Sequence, residues 1–495
     1  MMYREEKSDS LIVAAKLANN PQGAESVERR SGAKGNAEQP HMRRTQSRES
    51  LSQRLSRVRE AAKQRKKERF TALFHLLTAE ALENAFLSLS RKAAAGVDGV
   101  RWKDYAENLK VNIADLHRRL HQGSYRAQPG RRHYIPKADG KQRPLGIASL
   151  EDKIVQYALV KILNAVYEND FMGFSYGFRL GRSQHNALDA LATGLVRTNV
   201  NWVLDADISQ FFDKVSHEWL IRFIEHRIGD QRVIRLIRKW LTAGTSEEGE
   251  WRASEEGTPQ GAVISPLLAN IYLHYVFDLW AHQWRRRHAT GNVVMVRYAD
   301  DIVIGFDKRI DAQCFRIAMQ RRLKEFGLTV HPKKTRLMEF GRFAAENRAS
   351  RGKGKPETFN FLGFTHISGK DRSGRFMLIR KTRRDRMTAT LKAIKDGLRK
   401  RWHYSIPEQG KWLRRVVQGY LNYHSVPGNY PMMRKFRIYV TDLWRRALRR
   451  RSQQDDTTWT KANRLAAVWL PKVRVLHPWP VERFTARHPR QEPGA

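Results

Sequence analysis

Alternation of apolar and polar residues predicts a sheet in the middle of the chain. Residues 202–208 alternate, so that one face of the predicted strand is apolar and the other carries Asp205 and Asp207. Residues 293–296 and 302–306 are apolar runs with a short segment between them, which is typical of the two strands of a hairpin. The pattern therefore predicts antiparallel strands with acidic residues close to their ends.

Apolar residues at helical spacing predict helices on both sides of these strands. Residues 152–167 have this spacing, and the hydroxyl of Thr78 is placed to cap a helix that begins just after it. Ser265 followed by Pro266 predicts another helix start, with a capping hydroxyl and a proline in the first turn. Three helices rich in Arg and Lys are predicted near the end: 381–401, 409–423 and 431–451. Strands followed by helices predict an α+β fold, with a domain boundary near residues 370–380.

A second predicted hairpin carries basic residues on both arms. Its strands are residues 131–137 and 143–147. Lys137 and Arg143 supply a point charge and a guanidinium fork, which together suit a triphosphate. An exposed hairpin with solubilising charges is an equally good interpretation of the same residues.

The first 65 residues differ from the rest of the chain. They are poor in aromatic residues and rich in Gly, Ser, Asn, Glu and Arg, which predicts a disordered basic tail. From Ser50 the pattern becomes that of a basic helix running towards Arg69. This helix is either a solvated surface element or an arm that contacts RNA or DNA.

Net charge narrows the class of partner. The chain of 495 residues has 92 Lys and Arg residues against 50 Asp and Glu residues, a formal net charge of +42. An excess spread along the chain would repel itself unless an extended polyanion neutralised it, so nucleic acid is the leading partner. An anionic membrane is the second candidate. It is disfavoured because no segment approaches the roughly 20 apolar residues of a spanning helix.

The number of cysteines and the N-terminal residues indicate the cellular compartment of the protein. Cys314 is the single cysteine, which excludes an intramolecular disulfide framework and a Cys-paired zinc finger. The first residues do not lead into the apolar core of a secretory signal. We therefore expect an intracellular protein with no structural zinc and no membrane partner.

Two adjacent acids, Asp300 and Asp301, lie between the apolar runs of the first hairpin. Neighbouring carboxylates repel each other unless a cation lies between them, which indicates a divalent-metal site. Taken alone, an Asp-Asp pair is more often a solvated turn. With Asp207 on another strand, the three acids match the carboxylates that two-metal phosphoryl transfer needs, and hard oxygen ligands suit Mg²⁺.

Six motifs in a fixed order give a specific resemblance. They are Ile135-Pro136-Lys137 with Arg143-Pro144-Leu145-Gly146-Ile147, Asp205-Ala206-Asp207-Ile208-Ser209-Gln210-Phe211-Phe212-Asp213, Gly257-Thr258-Pro259-Gln260-Gly261 with Ser265-Pro266-Leu267-Leu268-Ala269-Asn270, Tyr298-Ala299-Asp300-Asp301, Gly327-Leu328-Thr329-Val330 with Lys333-Lys334-Thr335, and Phe361-Leu362-Gly363-Phe364. Over roughly residues 70–370 the chain resembles the reverse transcriptases encoded by group II introns. One Tyr-x-Asp-Asp motif would be weak support, whereas six motifs in the family's order are very hard to reach by chance.

The resemblance implies a role for each acid of these motifs. Asp207, Asp300 and Asp301 match the family's metal-binding, catalytic aspartates, and the carbonyl oxygen of Ile208 is an expected extra ligand of two Mg²⁺ ions. Asp205 is expected to be a supporting acid. Three further residues are expected to be structural or solvated: Asp213, Lys333 and Lys334.

The resemblance also implies how an incoming dNTP would be bound. Lys137 and Arg143 match the residues that grip its triphosphate. Phe212 matches the aromatic residue that excludes a 2′-hydroxyl group, although packing beside Phe211 is an alternative. Gln260 lies where the family contacts the sugar, unless its segment is only a glycine-rich turn.

The fold implied is a right-hand polymerase with an antiparallel palm sheet. Fingers and palm would occupy residues 66–370, and an α-helical thumb or maturase domain would occupy residues 371–470. A C-terminal tail, 471–495, would follow. Residues 418–424 resemble the corresponding maturase helix, and clustered cations near it would hold structured RNA largely by shape. A generic helical thumb is the alternative.

The function implied is an RNA-directed DNA polymerase that also binds its group II intron RNA as a maturase, in the bacterial cytoplasm and at the nucleoid when on DNA. The chain ends at Ala495 with no His-Asn-His endonuclease segment, so the DNA target is expected to receive its primer from elsewhere. Two alternatives stay open: a group II-like enzyme of a defence or CRISPR-associated system, and an RNA-binding splicing factor without polymerase activity. The oligomeric state also stays open.

Overall fold

The computed structural model describes residues 50–136, 142–247, 249–451 and 457–487. Its strands are β1 (Gly130–Pro136), β2 (Gln142–Ile147), β3 (Trp202–Asp207), β4 (Thr245–Glu247), β5 (Glu250–Arg252), β6 (Val293–Tyr298), β7 (Asp301–Phe306), β8 (Arg336–Glu339), β9 (Phe359–Phe361), β10 (Phe364–Lys370) and β11 (Phe376–Thr382). Its helices are α1 (Leu51–Gln64), α2 (Ala79–Ser88), α3 (Trp102–Glu107), α4 (Leu109–Gln122), α5 (Leu150–Tyr167), α6 (Gln184–Arg197), α7 (His217–Glu225), α8 (Gln231–Thr242), α9 (Ser265–Leu273), α10 (Leu279–Arg287), α11 (Arg309–Glu325), α12 (Ala344–Ala349), α13 (Arg384–Arg399), α14 (Ile406–His424), α15 (Tyr430–Arg449), α16 (Trp459–Trp469) and α17 (Pro480–Arg487). The mixture of helices and sheets confirms the predicted α+β class.

Antiparallel strands in the order β6-β7-β3-β8 form a central sheet. Asp207 at the end of β3 lies opposite Asp301 at the start of β7, and Asp301 in turn pairs with Tyr298 of β6. The turn between β6 and β7 therefore contains only Ala299 and Asp300. The predicted strand and the predicted hairpin are both present, and the register brings their acidic ends together.

Both faces of the central sheet are covered, because alternate residues along its strands enter two different cores. Leu204 and Ile302 belong to a core shared with α5, α9 and α11, whereas Val203 and Val303 belong to a core shared with α6 and β9–β11. The face that was predicted to be non-core is thus buried at Val203. Its acids are only half-buried because they lie towards the end of the strand.

Both predicted helix starts are present, but only one of the two predicted caps is. The Thr78 side chain accepts a hydrogen bond from the first turn of α2, as predicted. Helix α9 begins at Ser265 with Pro266 in its first turn, but Ile264 holds the cap position. The predicted capping by Ser265 is wrong, because its hydroxyl donates to the carbonyl oxygen of Pro259 at 2.8 Å instead.

A second sheet, in the order β2-β1-β4-β5, lies against the loop that follows β5. Strands β1 and β2 form the predicted antiparallel hairpin, and β1 also pairs in parallel with β4. The backbone nitrogen of Gly146 donates to the carbonyl oxygen of Gln260 at 2.6 Å. This bond ties the basic hairpin to the segment that contains Gln260.

The two ends of the described chain are docked. Helix α1 begins with a capping box at Ser50 and packs on α5, with Leu51 among its buried residues. The earlier part of the predicted tail, residues 1–49, lies outside the described residues. Helix α17 packs on α6, where Arg483 donates two hydrogen bonds to the buried Asp189. The predicted C-terminal tail therefore includes a docked helix.

The region after β11 has a core of its own. Apolar residues of α13–α16, including Leu413, Phe436 and Trp444, pack together there. Hairpin β10–β11 crosses the predicted boundary between residues 370 and 371, so the helical region begins at α13. Among the described helices none is long and apolar enough to cross a membrane.

Candidate active site

The turn between β6 and β7 is held by close backbone packing. Ala299 has a φ of 56°, in the left-handed region, which costs a residue with a Cβ about 1–2 kcal/mol. Gly177 lies against this turn so closely that a Cβ there would stand 2.4 Å from the nitrogen of Ala299. The approach of Gly177 therefore helps to fix the position of Asp300.

Arg297 anchors the same turn from the interior of the protein. Its fully buried guanidinium donates to both carboxylate oxygens of Asp278, each at 2.6 Å. It also donates to Asn270 Oδ1 at 3.2 Å, to the Ala299 carbonyl oxygen at 3.0 Å and to Ser175 Oγ at 2.7 Å. A buried charge that is paired and fully hydrogen-bonded in this way is tolerated. The turn is thereby tied to α9, to the π-helical stretch after it and to the loop before α6.

The predicted catalytic aspartates form one cluster of negative charge. Burial, followed by the charges of Asp300, Asp207 and Asp205, raises the pKa of Asp301 to about 7. Burial, followed by the charge of Asp207, also raises the pKa of Asp300. Asp301 itself is exposed at the start of β7. The carboxylates of the cluster repel one another, and a divalent cation would relieve that repulsion.

Lys334 is the cation nearest to this cluster. Its Nζ donates to Asp207 Oδ2 at 2.6 Å, and this bond raises the pKa of Lys334. Among the described residues no group of three or more His, Cys, Asp or Glu side chains is arranged to hold a metal ion as it stands. A divalent ion bound at Asp207 would take the place of this ammonium group. Position and charge both fit a cation, while neighbouring Lys333 is exposed.

Asp205 lies beside the cluster and has its own basic neighbour. The pKa of Asp205 is raised to about 6, mainly by burial and also by the charge of Asp207, although the guanidinium of Arg336 acts to lower it. Arg336 Nη2 stands 3.8 Å from Asp205 Oδ2 across the β3–β8 pair. This placement agrees with a supporting acid, and that role stays a prediction.

The residues after Asp207 continue the site along the chain. Ile208 is buried and forms an antiparallel bridge with Val330. Phe212 is half-buried in a 3-10 turn, with its ring centroid 5.4 Å from that of Phe211. The metal-ligand role of the Ile208 carbonyl and the sugar-gate role of Phe212 stay predictions. Packing beside Phe211, the alternative for Phe212, is present.

Gln260 is oriented by an acid for which only a structural role was expected. Its Nε2 donates to Asp213 Oδ1 at 2.7 Å. The same loop is fixed by the bond from the Thr258 nitrogen to the Phe212 carbonyl oxygen at 2.7 Å. Asp213 therefore positions the Gln260 amide beside the turn that carries Phe212, which places two of the predicted nucleotide contacts in one neighbourhood.

Arg143 reaches the cluster electrostatically from the basic hairpin. It is exposed on β2, opposite Ile135 of β1, and its charge lowers the pKa of Asp300. Its partner in the prediction, Lys137, lies outside the described residues. The structure thus brings Arg143 towards the acids, as a triphosphate-binding residue requires.

Sequence reasoning missed the residues that hold the hairpin. Arg297 ends an apolar run, and a charged residue in a strand of that kind needs a buried partner. That signal was available, but nothing in the spacing pointed to Asp278 as the partner. The approach of Gly177 was also missed, because it depends on a contact between segments far apart in the sequence.

Comparisons with known proteins agree with this geometry. Residues 135–366 match the family model described as reverse transcriptase (RNA-dependent DNA polymerase). All six motifs fall within that range.

Curated relatives point to introns. Protein YkfC of Escherichia coli (strain K12) is 43% identical over 206 residues, 41% of this chain and 54% of the relative. Group II intron-encoded protein LtrA of Lactococcus lactis subsp. cremoris is 37% identical over 223 residues, 44% of this chain and 37% of the relative. Nuclear intron maturase 3, mitochondrial, of Arabidopsis thaliana is 28% identical over 130 residues, 26% of this chain and 18% of the relative. The chain thus spans about half or less of the length of these relatives. Residues 135–366 form a reverse transcriptase domain, and the resemblance of the chain to group II intron-encoded reverse transcriptases and maturases is confirmed.

Proposed function

We propose that the protein is an RNA-directed DNA polymerase of the right-hand type, which also binds a group II intron RNA as a maturase. The central sheet would be the palm, the β1–β2 hairpin part of the fingers, and α13–α16 the thumb or maturase domain. The observation that carries the proposal is the register that sets Asp207 opposite Asp301, next to the turn that holds Asp300. The match of this segment to reverse transcriptases supports the reaction.

The acids would hold the metal ions that this reaction uses. Asp207, Asp300 and Asp301, with the Ile208 carbonyl oxygen, are the proposed ligands, and Mg²⁺ suits such hard oxygen donors. Two bound Mg²⁺ ions supply activation of a 3′-hydroxyl group and stabilisation of the leaving pyrophosphate. The protein's own contribution is to fix the carboxylates in advance, which the bonds of Arg297 to the turn achieve.

The remaining predicted residues would bind the dNTP. Arg143 and Lys137 would take the triphosphate with charge-assisted hydrogen bonds. Phe212 would close the space beside the 2′ position of the sugar, and Gln260 would contact the sugar while Asp213 holds its amide. The charge of Arg143 acts on Asp300, which supports its place near the triphosphate.

The RNA partner is proposed from charge and from relatives. A net charge of +42 is suited to a polyanion, and one relative is named a group II intron-encoded protein. In this proposal the intron RNA carries out splicing and the protein stabilises its active fold. Copying into a DNA target would follow. We place the protein in the bacterial cytoplasm, at the nucleoid when it is bound to DNA.

The test is dNTP incorporation on an RNA template with an annealed DNA primer, with and without Mg²⁺. Replacing Asp300 and Asp301 together by Asn keeps the side-chain size and removes both charges. Loss of several kcal/mol of transition-state stabilisation would lower the rate by about a thousandfold or more. Glu346→Gln, which alters an acid on α12 that pairs with Lys370, is the matched control and should leave the rate unchanged.

A splicing assay with the same variants separates the two activities. The double Asn variant should still assist splicing, because the RNA supplies that chemistry. If cDNA synthesis were unchanged in the double variant, the active-site assignment would be wrong. If the wild-type protein assisted splicing without incorporating any dNTP, it would be an RNA-binding splicing factor instead.

A further inference from the structure

A small groove lies between α13 and α15, far along the chain from the carboxylate cluster. Its volume is about 100 Å³, enough for a few water molecules at about 30 Å³ each. Its lining consists of Lys395, Leu398, Arg399, Trp402, Leu443, Arg446, Ala447 and Arg450. Four of the eight residues are cationic and none is acidic. We call this the α13–α15 groove.

Most of the cations in the groove are not engaged with other protein groups. Arg446 forms an ion pair with Asp442, since its Nε stands 2.7 Å from Asp442 Oδ2. Within the described part of the chain, the side chains of Lys395, Arg399 and Arg450 have neither an ion pair nor a hydrogen bond. Cations held close together without carboxylates repel one another, so an anion that entered between them would be bound favourably.

Stabilisation of helix ends does not account for these cations. Arginines are common near helix C-termini, where they donate to the last carbonyl oxygens. At the end of α13 another residue has that role, because Arg401 donates to the carbonyl oxygen of Gly397 at 2.9 Å. In the described part of the chain, Arg399 and Arg450 donate no such bond.

A hydrogen-bond donor in the same lining also lacks an acceptor. The indole nitrogen of Trp402 is buried, and no described residue accepts its hydrogen. Leaving a buried donor unpaired costs about 1–3 kcal/mol, so such groups usually have a partner. The Trp402 side chain lines the groove, so its indole signal can report on an anion bound beside the cations.

We propose that the α13–α15 groove binds one phosphodiester group of a nucleic-acid backbone, with Lys395, Arg399 and Arg450 as its cationic ligands beside the Trp402 side chain. The proposal rests on the proposed function, since it takes nucleic acid as the partner. A phosphate group matches the guanidinium fork and carries several acceptor oxygens. The phosphodiester could belong to structured RNA or to the RNA–DNA duplex made during copying. Binding at this point would fix α13 and α15 on the backbone without reading its sequence.

The first experiment uses inorganic phosphate as the probe and the full-length chain labelled with ¹⁵N. The indole signal of Trp402 is identified by its disappearance in Trp402→Phe. In the wild-type protein this signal should shift with saturation as phosphate is added. In Arg399→Gln with Arg450→Gln the apparent affinity should fall by about tenfold or more, as expected for loss of two charge-assisted contacts. A signal that does not move with phosphate in the wild-type protein would overturn the proposal.

The second experiment measures the affinity for a labelled structured RNA and for a labelled RNA–DNA duplex across a salt series. Replacing Arg399 and Arg450 by Gln should weaken binding of at least one of them and reduce the salt slope by about one unit. The control replaces Arg286 and Arg287, two exposed cations of α10, by Gln. It removes the same charge outside the groove and should change the affinity less than about threefold.

The outcome with each nucleic acid identifies the source of the phosphodiester. A loss confined to the duplex assigns the groove to template and primer, and a loss confined to structured RNA assigns it to the intron. Equal losses in the groove variant and in the α10 control would show that net charge, not the groove, explains binding. A wild-type protein that bound neither nucleic acid would instead contradict the proposed function. The titration with inorganic phosphate, followed by the Trp402 indole signal, would still test the groove independently.

Discussion

Asp278 and Asp301 both lie at the β6–β7 hairpin, but only the charge of Asp278 is matched by a directly bonded arginine. Asp278 is fully buried, and Arg297 donates to each of its oxygens at 2.6 Å. Asp301 is partly open to solvent and faces three more acids, with Lys334 as the nearest cation, bonded to Asp207. The protein places its matched arginine in the interior and leaves the surface cluster short of positive charge.

The buried pair therefore has a structural role, whereas the exposed carboxylates are left for the proposed chemistry. A buried ion pair is a weak source of stability but strongly destabilising when one partner is removed, so Arg297 and Asp278 fix the hairpin in one position. Carboxylates held on that fixed hairpin cannot move apart to relieve their repulsion. A cation that binds between the carboxylates would relieve this repulsion, and its binding would be favoured for that reason. Rigidity in the interior is therefore what allows unbalanced charge at the tip.

The largest effect is expected from breaking the buried pair. Arg297→Met leaves the Asp278 carboxylate buried without its partner, so the free energy of unfolding should fall by about 3–5 kcal/mol in urea denaturation. Adding Asp278→Leu should recover much of that loss, because no buried charge is then left alone. Arg375→Met removes an exposed pair with Asp371 and should cost at most about 1 kcal/mol. Equal costs for Arg297→Met and Arg375→Met would contradict the scaffold role.

The acidic cluster at the surface could be predicted from the sequence, whereas the buried Arg297–Asp278 pair could not. Asp207, Asp300 and Asp301 were recognisable because strand periodicity and turn signals are local, and because the motifs around them are short. The hairpin fixes the register of β6 on β7, but the register that sets Asp207 opposite Asp301 joins strands far apart in the sequence and was not predicted. Arg297 finds its partner in a π-helical stretch of another element, and sequence spacing gives no measure of such a contact.

Other errors have the same physical origin. Ser265 has the hydroxyl of a helix cap, but the chain enters α9 from Pro259 and the hydroxyl bonds there instead. The face of β3 with Val203 reads as solvent-facing because acids follow it, and α6 covers it in the fold. Local patterns thus predicted which elements form, and tertiary contacts decided which of their faces are buried.

The next largest effect tests whether the hairpin position matters for activity. Gly177→Ala would place a Cβ 2.4 Å from the Ala299 nitrogen, which the turn can accept only by shifting. A displacement of about 1 Å at reacting groups can cost about a hundredfold in rate, so primer extension should slow by about that factor. Gly173→Ala is the matched control in the same loop, because a Cβ at Gly173 meets nothing within 4 Å. Similar rates for the two variants would show that the contact has no role in positioning.

A smaller effect concerns the pH dependence of stability without metal. The folded pKa of Asp301 is about 7 against 3.8 for the unfolded chain, so the native state holds this proton more tightly. Its contribution to the free energy of unfolding should therefore fall as pH rises from about 4 to 7 and level off above 7. Asp301→Asn should flatten that part of the profile in thermal melts. Addition of Mg²⁺ at pH 8 should raise the melting temperature of the wild-type protein more than that of the variant.

Asp371→Asn is the control for that experiment, because the pKa of Asp371 is shifted in the opposite direction to that of Asp301. Backbone hydrogen bonds from Arg375 and Ser373 lower the pKa of Asp371, so this acid stabilises the protein above its unfolded pKa and loses that effect in acid. The Asp371→Asn variant should keep the decline between pH 4 and 7. A profile for Asp301→Asn that matched the wild-type profile would mean that the surface cluster stores no repulsion.

The smallest effect is expected at Lys334, whose ammonium group already contacts the cluster. Lys334→Gln removes the ammonium group bonded to Asp207, so a metal ion no longer competes with it. An exposed charge at about 4 Å is worth about 1 kcal/mol in water, and the Mg²⁺ concentration for half-maximal thermal stabilisation should fall about fivefold. Lys333→Gln, at the exposed neighbouring position, removes the same charge without that bond and should change it less than twofold. If Lys334→Gln raised the Mg²⁺ requirement, the ammonium group would be assisting the metal rather than taking its place, and the surface cluster would be less short of positive charge than its carboxylates suggest.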